Sequence, residues 1–343
     1  MTAMMRVVML DENRRIVLRQ RPVPTVRPDQ VLIEIDLCGI CGSDLHSPDL
    51  PQVYPGGFVL GHEMTGRVAE TGAAVSGWSV GDRVALNPNG NVCGACEFCL
   101  SGRPNFCHQA TMETALGLQA DGGLEPSVAV SPKTLRRIPE GTGRLEPAWV
   151  EPTATALRAV RRAGDIASAA VLVTGGGPIG QLACRLAAHG RARRIILIEP
   201  AEERRAFAAA SGADVTLTPD DASAQLASAD RSSLEADVVL ECSGSATATA
   251  LALDALRPGG VLVVVGAGQG SGLDPATILL KEITVHGSFT YTDEFDQAIE
   301  LLANGTIKVA DLTTDVIPLS AALEAFVSLR AARTMKILID PHA

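Results

Sequence analysis

The chain is poor in aromatic residues, with 2 Trp, 2 Tyr and 7 Phe in 343 positions. Aromatic clusters therefore cannot fill its interior, and Ala, Val, Leu and Gly must do so instead. It also lacks a basic excess. Lys and Arg number 29 against 39 Asp and Glu, a formal net charge of −10, which argues against nucleic acid or an anionic membrane surface as partner. No apolar run reaches the length of a membrane span. The opening MTAMMRVVMLDENRR has no apolar core followed by a cleavage site, so no secretory signal is expected. A cytoplasmic, reducing location is the expectation. There the eight cysteines read as metal ligands and buried thiols rather than disulfides.

What is present describes a well-packed protein, with 46% hydrophobic and 20% charged residues. At this length two domains are the default. Up to about residue 150, short strands are expected at 31–37, 66–70 and 82–86, punctuated by Pro55-Gly56-Gly57, Gly72, Gly77 and Gly81. That is a β-rich lobe whose loops carry chemistry. Beyond Glu151 the texture changes. Apolar runs at 169–174, 194–199, 215–217, 237–241, 260–266 and 283–288 alternate with Ala-rich helical stretches. Such a pattern predicts a parallel sheet covered on both faces, and six strands match a complete dinucleotide-binding sheet. The tail predicts helices at 294–304 and 320–331 and a last strand at 335–339. The expected division is 1–151, 152–289, and a tail 290–343 that returns to the first lobe.

The segment NVCGACEFCLSGRPNFC holds Cys93, Cys96, Cys99 and Cys107. Two-residue spacers let successive thiolates turn back onto one ion. Four thiolates fill a tetrahedral zinc and leave no position for chemistry, so this site is read as structural. A second cluster combines Cys41, Ser43, Asp44 and His46 in GICGSDLH with His62 and Glu63 in GHE. Each residue alone has a bland reading as a core thiol or a satisfied polar group. Together they offer a thiolate, an imidazole and a carboxylate, and Glu151 adds another carboxylate near the domain junction. That set suits an open zinc site with three protein ligands.

VLVTGGGPIG reads as a strand, a glycine turn and a helix start. Gly175-x-Gly177-x-x-Gly180 supplies a tight turn, room for a pyrophosphate, and close packing of helix on sheet. The next strand ends in Glu199, an acid about 20 residues further on, as a ribose-binding carboxylate should. That acid favours NAD over NADP, whereas Arg204 and Arg205 could accommodate a 2′-phosphate. Dinucleotide contacts are expected from Gly175, Gly177, Pro178, Ile179 and Gly180, from Glu199 and Arg204, and from Val265, Gly266, Ser288 and Phe289.

GICGSDLH, GHE, the four-cysteine lobe, VEP and GGGPIG, in that order, resemble the zinc-dependent medium-chain dehydrogenase/reductase family over essentially the whole chain. The resemblance implies a GroES-like catalytic lobe, a Rossmann domain, and hydride transfer from an alcohol to NAD. It implies Cys41 and His62 as catalytic zinc ligands, with Glu151 at the third position and Glu63 as a neighbouring carboxylate. It further implies Asp44 orienting His62, and a proton relay through Ser43 and His46. Cys38, Cys184 and Cys242 are expected to be structural, and His108, His189, His286 and His342 have no role.

EPTATALRAVRR and Gly287-Ser-Phe-Thr-Tyr-Thr292 resemble the butanediol dehydrogenases of that family. Ser47 and Thr290 stand where the sorbitol enzymes carry an aromatic residue and an arginine. A secondary alcohol or vicinal diol, or its ketone, is therefore the expected substrate. A polyol or L-threonine dehydrogenase is the second enzyme reading, and a noncatalytic cofactor-binding relative is the third. A homodimer or homotetramer is expected, with the 283–288 strand extending a sheet across a two-fold axis.

Overall fold

The computed structural model describes residues 3–229, 231–268, 272–331 and 334–343. In chain order the strands are β1 Met4–Leu10, β2 Ile16–Pro22, β3 Val31–Gly39, β4 Phe58–Val59, β5 Glu63–Thr71, β6 Arg83–Leu86, β7 Ser127–Val130 and β8 Leu135–Arg137. There follow β9 Ala170–Thr174, β10 Arg194–Ile198, β11 Val215–Leu217, β12 Ala236–Glu241, β13 Leu256–Val264 and β14 Thr284–Gly287, then β15 Thr313–Pro318 and β16 Lys336–Asp340. Contacts divide the chain into two compact units, Met1–Glu151 with Phe295–Ala343, and Pro152–Glu294.

The first unit is built on a seven-stranded sheet in the order β15-β16-β3-β5-β6-β8, with β7 paired to β3, and a three-stranded sheet β2-β1-β4. Strand β3 alternates as a half-buried strand should: Val31, Ile33 and Ile35 are buried, whereas Glu34 is exposed. Each such buried branched side chain contributes about 1.5–3 kcal/mol of burial. A register shift between Ile35 and Leu37 then breaks the alternation, and Leu37, Cys38 and Gly39 are all buried. Strand β16 runs antiparallel to this end of β3, pairing Leu338 with Gly39 and Ile339 with Cys38. Gly39 also pairs with Glu63, the first residue of β5. One end of three adjacent strands therefore gathers the segments that hold Cys41, Glu63 and Lys336.

The second unit is a parallel six-stranded sheet in the order β11-β10-β9-β12-β13-β14. Its strand order reverses between β9 and β12, the point at which open α/β sheets take ligands. All five residues of β9 are buried, which is why Ala170–Val173 are all apolar, and the buried Thr174 hydroxyl donates to Glu241 at 3.3 Å. Leu172, Ile196, Val239 and Leu262 pack with the covering helices into one core. Strand β13 starts four residues earlier than its apolar run suggests. Arg257, Pro258 and Gly259 are exposed, and the pairing with β12 shifts register there, so hydrophobicity carries no signal for that stretch. Strand β14 lies at the sheet edge and is mostly exposed. Among the described residues no helix is long and apolar enough to cross a membrane.

Candidate active site and metal centres

Cys41 caps the short helix Gly42–Leu45. His62 and Glu63 stand at the start of β5. The ligand atoms of Cys41, His62 and Glu63 all lie within 4.8 Å of one another. Asp44 is fully buried. One of its oxygens accepts from the Cys41 amide at 3.0 Å, and the other lies 3.4 Å from His62 Nδ1. One carboxylate thus positions both the thiol-bearing turn and the imidazole, and it leaves His62 Nε2 facing Ser43 Oγ at 3.5 Å. Burial disfavours a charged His62, yet the carboxylate of Asp44 and the sulfur of Cys41 outweigh it and raise the His62 pKa well above its ordinary value. The same negatively charged surroundings would also favour a dication. The donor set, one sulfur, one nitrogen and one carboxylate, suits zinc. Glu151 does not join this tight group; it lies in the first turn of the helix Val150–Arg162 and acts electrostatically on Lys336.

Lys336 packs against this cluster. Its Nζ donates to both oxygens of Glu63 at 2.6 Å and to the Ile40 carbonyl at 3.2 Å, and it sits 5.5 Å over the Trp149 ring. Both charged groups are about 99% and 98% buried. Burial opposes the ammonium, but Glu63 and then Cys41 raise the Lys336 pKa above its ordinary value. The carboxylate can lie here because position 39 has no side chain. A Cβ on Gly39 would come within 2.1 Å of Glu63 Oε2.

Ser43 Oγ accepts from the hydroxyl of Tyr54 at 2.9 Å. Burial first, and the Asp44 carboxylate second, raise the Tyr54 pKa, so the phenol stays protonated. His46, the other expected relay residue, is solvent-exposed at the end of the same helix.

The sulfurs of Cys93, Cys96, Cys99 and Cys107 form the second cluster. Backbone amides turn onto them: Ala95 and Cys96 donate to the Cys93 sulfur at 3.4 and 3.3 Å, and Cys93 donates to that of Cys107 at 3.4 Å. The first two amides lower the Cys93 pKa to about 6, whereas burial raises that of Cys99 to about 12; a bound metal would take all four as thiolates. No disulfide is present among the eight cysteines, and Cys38, Cys184 and Cys242 lie outside both clusters. His108 faces Glu113, His286 faces Arg162, and His342 lies 3.7 Å from Glu34. His189 ends the helix Pro178–His189.

In the second unit, β9 runs into Gly175 at φ +89°, and Gly177 caps the helix Pro178–His189 with Pro178 and Ile179 in its first turn. A Cβ on Gly180 would fall 1.8 Å from the Gly175 carbonyl oxygen, whereas one on Gly177 would meet nothing within 4 Å. The loop is therefore closed toward the sheet and open at Gly177, beside a helix N-terminus that attracts phosphate. Glu199 is buried, and its carboxylate accepts from the amides of Gly176 at 2.6 Å and Ala201 at 2.9 Å. Gln181, also buried, donates to the carbonyls of Gly176 and Arg204 at 3.0 and 2.8 Å. It thereby ties the glycine turn to the helix Glu202–Ala210 that bears Arg204 and Arg205. At the carboxyl ends of β12 to β14, Val265 and Gly266 donate to the Glu241 carbonyl and Ser288 to that of Val264, each at 2.9 Å. Phe289 is exposed, and the hydroxyls of Ser288 and Thr290 are buried without a hydrogen-bond partner.

Sequence reasoning missed Lys336, Tyr54 and Gln181. A lysine inside an apolar strand was the available signal for the first, since buried lysines are almost always paired. No sequence signal marks the other two.

Two family models match, an alcohol dehydrogenase GroES-like domain at residues 27–140 and a zinc-binding dehydrogenase at residues 178–304. D-xylulose reductase A of Aspergillus oryzae is 32% identical over 96% of this chain and 95% of its own length. A protein of Sinorhizobium meliloti 1021 solved bound to NADP superposes with a TM-score of 0.88 at 31% identity, covering 99% of this chain and all of the other. The 2R,3R-butanediol dehydrogenase of Bacillus subtilis gives 0.86 at 30% identity, covering 98% and 99%. With a cysteine–histidine–glutamate group that could hold a metal in one unit and a glycine turn opening a helix in the other, the chain belongs to the zinc-dependent medium-chain alcohol dehydrogenase family and is an oxidoreductase acting on CH–OH groups.

Proposed function

We propose that this enzyme interconverts a secondary alcohol, within a vicinal diol or short polyol, and the corresponding ketone, with NAD as the preferred acceptor. The observation that carries this reading is the half-buried Ser43 hydroxyl lying beside Nε2 of the buried His62, which clusters with Cys41 and Glu63. The proposed zinc ligands are Cys41, His62 and one carboxylate, Glu63 or Glu151, with Cys93, Cys96, Cys99 and Cys107 holding a structural ion. Bound zinc supplies Lewis acidity at the substrate oxygen, and the bound dinucleotide supplies the hydride acceptor. The chain's own part is to orient the imidazole through Asp44, to fix the Glu63 carboxylate through Lys336, and to relay the hydroxyl proton through Ser43, which passes its own proton on as it accepts another. Glu199 favours NAD because a 2′-phosphate next to its carboxylate would be repelled. The named relatives, a xylulose reductase and a butanediol dehydrogenase, support a substrate with adjacent hydroxyls.

The test is a panel of vicinal diols, polyols, simple secondary alcohols and L-threonine, each assayed with NAD and NADP. Diols or polyols with NAD are expected to give the highest kcat/KM, at least about tenfold above the other pairings, one decade being 1.36 kcal/mol of transition-state binding. A preference for NADP or for L-threonine would overturn the reading. If His46 carries protons out to solvent, His46→Gln is expected to slow alcohol oxidation near neutral pH, within the 10²–10⁴ range of general acid–base effects. The loss should shrink at alkaline pH. A uniform rate across the profile would remove His46 from the relay.

The exposed edge of β14, with Val285, and the outward Leu279 and Leu280 of the helix Pro275–Lys281 support a homodimer in which two such edges pair.

A further inference from the structure

Tyr54 is one of two tyrosines in the chain. It is fully buried, its ring lies stacked on Phe58 with centroids 6.4 Å apart, and its hydroxyl ends on Ser43 Oγ at 2.9 Å. A serine hydroxyl has one proton to give and two lone pairs to receive with. The phenol fills one lone pair. It cannot receive from Ser43 while it donates, so the serine proton must go elsewhere. The nearest alternative, His62 Nε2 at 3.5 Å, is beyond a normal hydrogen bond. The second lone pair and the proton of Ser43 are therefore both kept for groups that enter the site.

The loop carrying Tyr54 is held from a distance. In the turn between β1 and β2, Asp11 accepts from the amides of Arg14 and Arg15, and Arg14 is left in a left-handed conformation at φ +62°. A non-glycine residue there carries strain that the surroundings must impose. The guanidinium then donates to three carbonyls of one loop: Ser47, Pro48 at 2.7 Å and Tyr54 at 2.8 Å. Five donors in a rigid fork make arginine the side chain for that task.

We propose that Tyr54 is a positioning residue that aims the Ser43 hydroxyl, and that Arg14 locks the loop presenting it. This rests on the reading of Ser43 as the proton-handling hydroxyl. Tyr54→Phe keeps the ring and removes one oxygen. It is expected to lower kcat about five- to tenfold, the worth of one hydrogen bond, with KM within about twofold. Zinc content and the dinucleotide Kd by titration calorimetry should stay at wild-type values. Arg14→Lys, which keeps the charge but loses the fork, is expected to give the same kcat loss and faster hydrogen exchange of the 47–54 amides. The cycle with Ser43→Ala separates the outcomes. If Ser43→Ala is slow and Tyr54→Phe adds nothing to it, Tyr54 acts through Ser43. If the two losses multiply, or Tyr54→Phe alone runs at full speed while Ser43→Ala is slow, the role given to Tyr54 is wrong. A fully active Ser43→Ala would overturn the underlying relay reading and this inference together. Should Tyr54→Phe not fold, Arg14→Lys with unchanged kcat would also overturn the proposal.

Discussion

Cys41→Ala is expected to cut alcohol oxidation by about a thousandfold or more and to leave one zinc ion per chain in place of about two. The size follows from the chemistry: several kcal/mol of charge stabilisation at the substrate oxygen correspond to about three powers of ten in rate. The geometry makes the effect local. The four sulfurs of the other cluster form a separate group, so the ion they bind should remain. Loss of His62 should act similarly, with one difference. Asp44 would then stay buried with only the Cys41 amide as partner among the described residues, and a buried carboxylate that has lost its imidazole neighbour adds a stability loss. Elemental analysis and turnover on the same preparation check both. A Cys41→Ala protein with wild-type rates, or with zinc lost from both sites, would contradict the assignment.

In the metal-free protein, Lys336→Met is expected to destabilise the first unit by about 3–5 kcal/mol, because it strands Glu63 as an uncompensated charge in the interior. That corresponds to a melting temperature lower by on the order of 10 °C, read by differential scanning calorimetry. Adding Glu63→Gln should restore most of the loss, since the penalty arises from the leftover charge rather than from the missing contact. The pH dependence has a definite sign. The folded-state pKa of Lys336 is raised, so the stabilisation is complete below the unfolded-state value of about 10.4. It is lost only as pH climbs beyond that point through the folded value. Across neutral pH the pair should contribute a constant amount. A single variant that melts with the wild type would show that the ammonium contributes nothing there.

The parts of this molecule that could be read from the chain are those fixed by short-range physics. The Rossmann strands were legible because strands buried on both faces must be apolar throughout, as Val171, Leu172 and Val173 are. The four cysteines were legible because their spacing and their shared ion are the same fact. Strand β13 was placed late because its first residues are exposed and carry Pro258 and Gly259. Strands β1, β2, β4, β7, β8 and β15 were not picked out. Half-exposed runs such as Ile16–Pro22 look like many loops. Around the metal cluster, Cys41, His62 and Glu63 could be grouped from sequence since they lie within 23 positions of each other. Tyr54 could not, because only the path of the 47–54 loop brings its hydroxyl to Ser43. Lys336 could not either, because pairing of β16 with β3, a long-range choice, decides what it touches.

The ion pair between Glu63 and Lys336 joins residues 273 positions apart. At 5–20 residues per second, a ribosome reaches the lysine codon roughly half a minute after the glutamate has been added. During that interval the end of β3 that later pairs with β16 has no neighbour on that side, and Glu63 has no counter-charge. The first unit can thus be completed only after the second, Pro152–Glu294, has been synthesised. A nascent chain stalled before β16 would present the open end of β3 and an unpaired Glu63 to whatever chaperone or protease meets it.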